Sequence, residues 1–428
     1  MTIKLLTPRD LTIGGRTVTY PAGALVTLDA ATETGLINSK EATATLTGGI
    51  AYTPPVPSGQ PVPLTVIPSA QGIGSAQVSD RAGVAVTYLV ESFRVAGVAS
   101  DSAVINLALA RIRADNPPTS KLVFEGGRTY TYDSTGQLGD VCNLDIDGNG
   151  CFFKRADASV NTTTLSAATL DSATVLPLSS IPDSWAVSDL IAVSQGTTNA
   201  DLSTVVRITA IDRTAKTVSL NKAPTFGATT FPSGATVIKS FNLFAGVPSY
   251  TESNYVWPQG SNKNVSMHDF VLDGNAANQI NFSWRLNTEI ALHTEGGRIY
   301  SARFQNTANE CIVGHGFDIG GGGRCTFVDL GGSAVHLSCH DATKDLNHGA
   351  TVRGNLFRRT NLKTQAVSGH AEGAITFSWG PGTLVVAGND FDGGSESIMG
   401  YINTSSGANG CYQIIMSANN CRNYTKIF

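Results

Sequence analysis

The sequence predicts a mainly β chain whose C-terminal part winds as a parallel β-helix, a solenoid of short stacked strands. In the last third, a pattern of glycine turn, alternating residues, aromatic residue and polar break returns several times. By subtraction of their numbers, its anchoring aromatic residues lie 34, 23, 30 and 34 positions apart, at Phe270, Phe304, Phe327, Phe357 and Phe391. Three short strands joined by turns need about that many residues, so each interval corresponds to one coil.

Composition agrees with this fold class. Charged residues make up 14% of the 428, against roughly 25% in ordinary globular domains, and the 45 glycines suit tight turns between strands. The net charge of −4 argues against nucleic-acid binding, and no apolar run reaches the ~18 residues that membrane insertion needs. The seven cysteines lack metal-type spacing and predict reduced thiols made in a cytoplasm.

Five segments are expected from changes in composition and periodicity. They are a small anchoring domain (1–54), a linker rich in proline, glycine and serine (55–76), the start of the β-helix with a capping helix (77–159), an inserted antiparallel β subdomain (160–258) and the β-helix body (259–428). A small domain followed by an extended tether indicates an anchor that holds the larger body away from another surface. Clean alternation between turn residues is typical of the short strands predicted in the insertion.

The capping helix is predicted near 101–113 from local signals. Ser100 or Asp101 is a suitable N-cap, and Pro117 and Pro118 prevent the helix from continuing. Between them, apolar residues recur at helical spacing, at Val104, Ile105, Ala108, Leu109 and Ile112. The first coil of a β-helix exposes strand edges and apolar side chains, and such a helix would cover them.

The opening of the predicted β-helix also carries a family resemblance. The chain runs through SFRVAGVASDSAVINLAL, KLVFEGGRTYTY and NLDIDGNGCFFKR, with matching positions at Phe93, Asp101, Ile105, Gly126, Gly127 and Tyr130. This stretch resembles the pectate-lyase-like right-handed parallel β-helix proteins, above all bacteriophage tailspikes and polysaccharide depolymerases. Ser100 and Ser102 depart from the family pattern, which usually has acidic and Thr or Asp residues there. The resemblance covers residues 86–155 and, more loosely, 260–428.

The resemblance implies a function as well as a fold. A protein of this kind is a tailspike or tail fibre of the phage virion, assembled in the bacterial cytoplasm as a homotrimer. Residues 1–54 would then dock on other tail or baseplate proteins, and the β-helix would bind, and as an enzyme cleave, a bacterial surface polysaccharide for host recognition. Glycoside hydrolase, lyase, and non-enzymatic structural fibre or adhesin stay open as alternatives, because the family shares a scaffold and no fixed active site.

Histidines and acidic residues of the solenoid follow a common offset from the anchoring aromatic residues. All seven histidines come after residue 267, and several histidines and acids lie 11 to 15 positions after the preceding anchor. If the coils stack in register, these residues form a column in which neighbours are about 4.8 Å apart. That spacing suits the paired carboxylates of a glycosidase. The predicted catalytic residues are Asp318, Asp341 and Glu372, and the predicted substrate-binding residues are His315, His340, His370 and Trp379. The alternative is that polar residues simply occupy turns that face water.

Two motifs invite a metal-site interpretation, and neither is expected to hold a metal. Asp145–Gly150 reads DIDGNG, the first half of a calcium loop, but Ala156 stands where the closing carboxylate belongs. His336 to His340 reads HLSCH, a spacing that gathers ligands only on a helix. We therefore expect no metal and no cofactor.

Overall fold

The structure is a computed structural model that divides into two units, Met1–Thr87 and Tyr88–Phe428. It describes residues 2–5, 9–13, 16–20, 25–27, 42–45, 65–68, 74–79, 85–95, 100–227, 230–246, 262–281, 286–338, 349–362, 373–378, 383–396, 398–401 and 413–426.

The described part of the N-terminal unit consists of antiparallel strands. One sheet has the order Leu25–Thr27, Thr2–Leu5, Ala42–Thr45, and two hairpins are Arg9–Ile13 with Arg16–Tyr20, and Thr65–Pro68 with Gly74–Ser79. The second hairpin includes part of the segment predicted as a linker. The β-branched residues Thr65, Val66 and Ile67 favour a β-strand. They explain why this stretch pairs as a strand although its neighbours are rich in proline.

The larger unit carries the predicted capping helix. After the strand Ala85–Leu89, the helix α1 spans Asp101–Asp115. The Ser100 hydroxyl accepts a hydrogen bond from the Ala103 N–H at 3.2 Å, and Asn116 ends the helix in the left-handed region. Its apolar side chains are buried, at Val104, Ile105, Ala108, Leu109 and Ile112. The helix predicted from the sequence is confirmed.

Polar side chains of α1 satisfy backbone N–H groups at the edge of the first coil. The Asp101 carboxylate accepts from the Thr131 N–H at 2.8 Å, and Asn106 Oδ1 accepts from the Gln137 N–H at 3.0 Å. The Ser102 hydroxyl accepts from the next loop in the same way. These bonds replace the strand partners that an end coil lacks, so α1 caps the solenoid by hydrogen bonding as well as by apolar packing.

Parallel strands make up the body of this unit. In chain order they are Thr119–Val123, Thr129–Tyr132, Gly136–Gly139, Leu144–Arg155, Phe244–Gly246, Asn262–Lys263, Ser266–Asp273, Ile290–Gln305, Ile312–Ile319, Thr326–Val328, Val335–Ser338, Ala350–Arg353, Leu356–Thr360, Ile375–Ser378, Thr383–Ala387, Asp390–Glu396, Ile398–Tyr401, Gln413–Ser417 and Asn420–Lys426. Several of the longer strands bend through a corner of the coil and so contribute to two faces.

The described strands form three parallel sheets, and in each sheet one column of inward-facing side chains stacks in register from coil to coil. The first sheet stacks Phe244, Ile290, Ile312, Val335 and Ile375. The second sheet stacks Leu122, Ile146, Met267, Ile299, Ile319, Val352, Val386 and Met416. The third sheet stacks Tyr130, Phe153, Leu272, Phe304, Phe327, Phe357, Phe391 and Cys421. The predicted fold class, a mainly β parallel β-helix, is confirmed.

The anchoring aromatic residues mark successive coils, with one displacement. Phe304, Phe327, Phe357 and Phe391 stack ring on ring, with centroids 5.0, 4.9 and 4.7 Å apart. Phe270 instead pairs with Ala302, and Leu272 occupies the column. The displacement is two residues, so Phe270 still faces the interior, because strand side chains alternate with a period of two.

Antiparallel strands interrupt the coils between residues 162 and 240. Within the described residues, their main sheet has the order Thr162–Thr164, Thr236–Ser240, Leu190–Ser194, Val206–Asp212, Thr217–Leu220, Val175–Pro177, and a second pair is Thr169–Leu170 with Thr230–Phe231. Trp185 and Phe231 lie in the core of this insertion. Short 3-10 helices span Val90–Phe93, Ala158–Val160, Asn199–Asp201 and Ala276–Asn278. Among the helices that the structure describes, none has the length and apolar character needed to cross a membrane.

Candidate functional site

An open groove of about 730 Å³ lies at the corner where the second sheet turns into the third. Asp147, Asp269, Arg303 and Arg324 line it and come from four successive coils. Three steps of about 4.8 Å give it a length of roughly 14 Å along the solenoid. Carboxylates therefore lie at one end of the groove and guanidinium groups at the other.

The acidic end is shaped by a single left-handed residue. Asp269 has φ +56°, a conformation that Asp tolerates better than most residues. Successive strand residues point to opposite faces, but this turn keeps the Asp269 carboxylate beside the preceding His268. One coil earlier, a Cβ at Gly148 would lie 2.6 Å from the Asp269 carbonyl oxygen, so glycine allows the two coils to approach.

His268 is the centre of a charged cluster at this end. Its Nε2 lies 3.1 Å from Asp145 Oδ1, and its Nδ1 lies 2.8 Å from Asp269 Oδ2 and 3.9 Å from Asp147 Oδ1. Lys121 Nζ lies 2.8 Å from Asp147 Oδ2. Asp145, Asp147 and His268 come from the outer positions of adjacent strands in the second sheet, where parallel pairing places Asp147 opposite His268.

The cluster shifts the acidity of its members in opposite directions. The hydrogen bond to Asp145, and secondarily the one to Asp269, raise the pKa of His268 to about 8 against the effect of burial. Burial by itself raises the pKa of Asp147, but hydrogen bonds from Lys121 and from the Asn149 N–H outweigh it and hold that pKa below its usual range. The arrangement therefore favours a charged imidazole beside the ionised Asp147 carboxylate at neutral pH.

An aromatic ring and a glycine run fix the plane of the imidazole. Tyr300 stacks on His268 with centroids 4.7 Å apart and an interplanar angle of 12°. A Cβ at Gly322 would lie 2.9 Å from Tyr300 Cγ, so the chain of the next coil passes directly over the ring. Gly322 thus packs against Tyr300, where a larger residue would collide with the ring. Burial raises the pKa of the Tyr300 phenol above its usual value.

The cationic end is more exposed than the acidic end. Arg324 Nη2 lies 2.9 Å from Asp390 Oδ2, and both side chains are about half exposed. Arg303 is exposed, and its Nε donates to Gln305 Oε1 at 2.7 Å. Exposed ion pairs are weak because water screens them, so a ligand with suitable oxygen atoms can replace these partners at low cost.

Of the predicted catalytic residues, the structure describes Asp318. It lies on the second sheet, where the in-register residues of the neighbouring coils are Arg298 and Thr351. Its Oδ2 accepts from Arg353 Nη2 at 2.9 Å. The described neighbours of Asp318 are thus a cation and a hydroxyl residue, and its predicted carboxylate partners, Asp341 and Glu372, lie outside the described residues.

The predicted substrate-binding residues are placed only in part. The His315 backbone pairs with that of His293 in the first sheet, on a different face from Asp318, and its side chain is outside the described part of the chain. His340, His370 and Trp379 also lie outside the described residues. Their roles stay predictions.

Sequence reasoning did not single out the cluster around His268. In sequence, DIDGNG is half of a calcium loop that lacks its closing carboxylate, and His268 is one of seven histidines with no feature that marks it out. The two stretches lie side by side in space, but Asp145 and His268 are 123 residues apart in sequence. The insertion separates the two consecutive coils to which they belong. The usable signal is the match between LDIDGNGCFF and VSMHDFVLD once the insertion is removed.

Three members of the cluster have the chemistry of metal ligands. One ligand atom each from Asp147, His268 and Asp269 lies within 4.8 Å of the others. They combine an imidazole nitrogen with two carboxylates, a donor set common in transition-metal sites. The two carboxylates also line the open groove, which gives access from outside.

Comparisons with known proteins identify similar folds at low sequence identity. No protein-family model and no curated protein sequence matches the chain. Among solved structures, it is similar to the tailspike gp61 of Pseudomonas phage phi297, with 10% identity, coverage of 74% of this chain and 73% of that chain, and a TM-score of 0.20.

Two further solved structures are also tailspikes. Gp54 of Acinetobacter baumannii bacteriophage AP22, solved in complex with A. baumannii capsular saccharide, has 10% identity, coverage of 74% and 67%, and a TM-score of 0.18. Gp49 of Pseudomonas phage LKA1 has 12% identity and a TM-score of 0.25, and the match covers 70% of this chain and 51% of that one. All three are phage tailspikes.

Proposed function

We propose that this chain is a phage tailspike or tail fibre protein whose β-helix binds a bacterial surface polysaccharide in the groove between the second and third sheets. The observation that carries the proposal is an open groove that crosses four coils of a rigid solenoid and carries charged side chains at both ends. Such groups form hydrogen bonds with hydroxyl, amide and carboxylate groups of sugars along a chain. Rigid strands hold them in place, which lowers the entropy cost of binding.

The remaining parts of the proposal concern assembly. Residues 1–54 attach the protein to other tail or baseplate proteins, and three copies associate in parallel. Three grooves on one particle bind a repetitive polysaccharide by avidity, which compensates for weak binding at each groove. Analytical ultracentrifugation tests the trimer, for which a monomer mass at micromolar concentration would be the contrary result.

Binding is tested by incubating the full chain with immobilised capsular and lipopolysaccharide glycans. Arg303→Ala combined with Arg324→Ala is expected to weaken binding to the recognised glycan about tenfold or more, because two charge-assisted contacts are lost. The matched control is Arg422→Ala, which removes an exposed arginine of the third sheet outside the groove. Equal binding by the double variant and the control would exclude the groove.

Cleavage of the bound polysaccharide is the second function proposed. Its candidates are the sequence-predicted acids Asp318, Asp341 and Glu372, of which Asp318 has a partly exposed side chain. Incubation should then yield new reducing ends for a hydrolase or unsaturated sugars for a lyase. Asp318→Asn, Asp341→Asn and Glu372→Gln would abolish product while binding persists. Binding without product in the unaltered protein would indicate the adhesin instead.

A further inference from the structure

We propose that Asp147, His268 and Asp269 form a binding site for a divalent transition-metal ion of the Mn²⁺ or Zn²⁺ type at the acidic end of the groove. The site does not depend on the proposed function. It is argued from the convergence of the three donors, from the group behind the imidazole and from access through the groove.

The donor distances fit one ion with small adjustments. Ligands bonded to such an ion at about 2.1 Å lie roughly 3 to 4 Å from each other. His268 Nδ1 lies 2.8 Å from Asp269 Oδ2 and 3.9 Å from Asp147 Oδ1. The left-handed turn at Asp269 brings consecutive residues to the same side, which an ordinary strand would not do.

The far side of the imidazole is arranged as in many metal sites. Nε2 faces Asp145 Oδ1 at 3.1 Å, and a carboxylate in this position holds the Nε2 proton, so Nδ1 is the nitrogen that binds a metal when its own proton is released. Tyr300 holds the ring plane by stacking. The three carboxylates together also carry more negative charge than the single positive charge of Lys121 offsets. A bound cation is therefore electrostatically favoured there.

Lys121 is the group that competes with a metal ion for the Asp147 carboxylate. Its ammonium lies 2.8 Å from Asp147 Oδ2, whereas Oδ1, which also accepts from the Asn149 N–H at 2.8 Å, faces His268. One oxygen of Asp147 thus stays available while the other holds the lysine. The groove leaves space for water or a ligand oxygen to complete the coordination. The imidazole donor favours Mn²⁺ or Zn²⁺ over Ca²⁺ and Mg²⁺, which take oxygen ligands.

Metal binding is measured directly on the full chain after treatment with a chelator and dialysis. Mn²⁺ is titrated and followed by electron paramagnetic resonance, and Zn²⁺ competes with it in calorimetry. We expect one ion per chain with a dissociation constant in the micromolar range, and a nitrogen coupling from the imidazole in the pulsed spectrum. Absence of binding of both ions at millimolar concentration would overturn the proposal.

Variants locate the ion. His268→Asn and Asp269→Asn should weaken binding at least about 100-fold, and Asp145→Asn, which acts through His268, about 10- to 100-fold. Lys121→Met should strengthen binding because it removes the competing cation. Asp392→Asn, an acid of the third sheet outside the cluster, is the control and should leave affinity unchanged. Circular dichroism confirms that each variant is folded. Unchanged affinity in folded His268→Asn would assign the ion to another place and refute the site.

Discussion

His268 shows how one side chain gains a defined chemistry from its neighbours. Carboxylates lie against both ring nitrogens, and Tyr300 covers one ring face. The charged form of the imidazole is stabilised because both of its N–H groups face carboxylate oxygens, which can accept hydrogen bonds from them. The imidazole is 9% exposed, but the Asp145 and Asp269 carboxylates are 36% and 52% exposed, so water screens part of these interactions.

Stability should depend on pH through His268 in protein kept free of metal by a chelator. The folded pKa is about 8, above the usual 6.5, so the stabilisation is fully present below 6.5 and is lost as the pH rises through 8. Urea unfolding should give a free energy of unfolding about 1–2 kcal/mol lower at pH 9 than at pH 6 from this residue, because water screens part of its interaction with the exposed carboxylates.

The matched variant for that experiment is His268→Asn. It should flatten the difference between pH 6 and pH 9, because the titrating group is gone. A pH dependence as steep in the variant as in the original protein would show that other residues cause it.

Local residue roles could be predicted from the sequence, and non-local ones could not. Ser100 as N-cap and the stop before Pro117 depend on adjacent residues, and both are seen. The approach of Asp145 to His268 depends on how the insertion leaves and re-enters the coil, and sequence spacing does not contain that information. Variable turn lengths likewise hide the neighbours of Asp318. The residues opposite it in the adjacent coils are Arg298 and Thr351, and a constant sequence offset from the aromatic anchors does not identify them.

At the scale of elements, repeated side-chain ladders hold the coils in register. The phenylalanine stack of the third sheet runs through four coils. At the corner before it, Asn355, Asn389 and Asn419 form an asparagine ladder. Asn389 Oδ1 accepts from the Asn355 N–H at 3.0 Å, and Asn389 Nδ2 donates to Val352 O at 2.9 Å and to Asn419 Oδ1 at 3.0 Å. Both ladders join coils that are about 30 residues apart in sequence.

Truncation of the phenylalanine stack should destabilise the β-helix. Phe357 is fully buried between Phe327 and Phe391, so Phe357→Ala should lower the free energy of unfolding by about 3–5 kcal/mol. Phe357→Leu should cost less, because Leu272 occupies the same column. The control Arg358→Ala, on the exposed side of the same strand, should stay within about 0.5 kcal/mol. Equal effects of Phe357→Ala and Arg358→Ala in urea unfolding would contradict the stack.

Loss of one asparagine from the ladder should also be costly. Asn389→Ala leaves the Val352 carbonyl and the Asn355 N–H buried without this partner, which should lower stability by about 1–3 kcal/mol. Asn420→Ala is the control, because its side chain is exposed and makes one longer bond to Asp390 at 3.3 Å. Thermal unfolding of the two variants compares them, and a control as unstable as Asn389→Ala would argue against the ladder.

At the scale of the whole larger unit, a buried ion pair joins the coils at the base of the insertion. Arg155 Nη1 lies 2.9 Å from Glu289 Oε2, both side chains are fully buried, and Tyr132 donates a hydrogen bond to the same carboxylate. Arg155 Nη2 also donates to the carbonyls of Phe241, where the chain returns from the insertion, and of Leu286, shortly before the strand Ile290–Gln305. This pair anchors the insertion without a covalent link.

Breaking that pair from one side should be more damaging than removing it. Arg155→Met should lower the free energy of unfolding by about 3–5 kcal/mol, since Glu289 is left buried and unpaired. The double variant Arg155→Met with Glu289→Leu should recover part of that loss, which chemical unfolding would measure. A double variant less stable than the single one would contradict this account of the pair.

The overall architecture was predictable because a solenoid repeats its signal in every coil. Glycine turns, strand alternation and one aromatic residue per coil appear often enough to indicate the fold even when single anchors such as Phe270 lie two residues from the column. The groove has no such repetition. It arises where unlike side chains of four coils meet at one corner, and only the register shows which residues these are.

The most direct test is a crystal structure of the chain with an oligosaccharide of the polysaccharide that it binds. Our account predicts stacked parallel coils with sugar rings lying along the groove, in contact with Asp269 at one end and Arg324 at the other. Sugar bound on another face of an intact solenoid, or a chain without parallel coils, would contradict it.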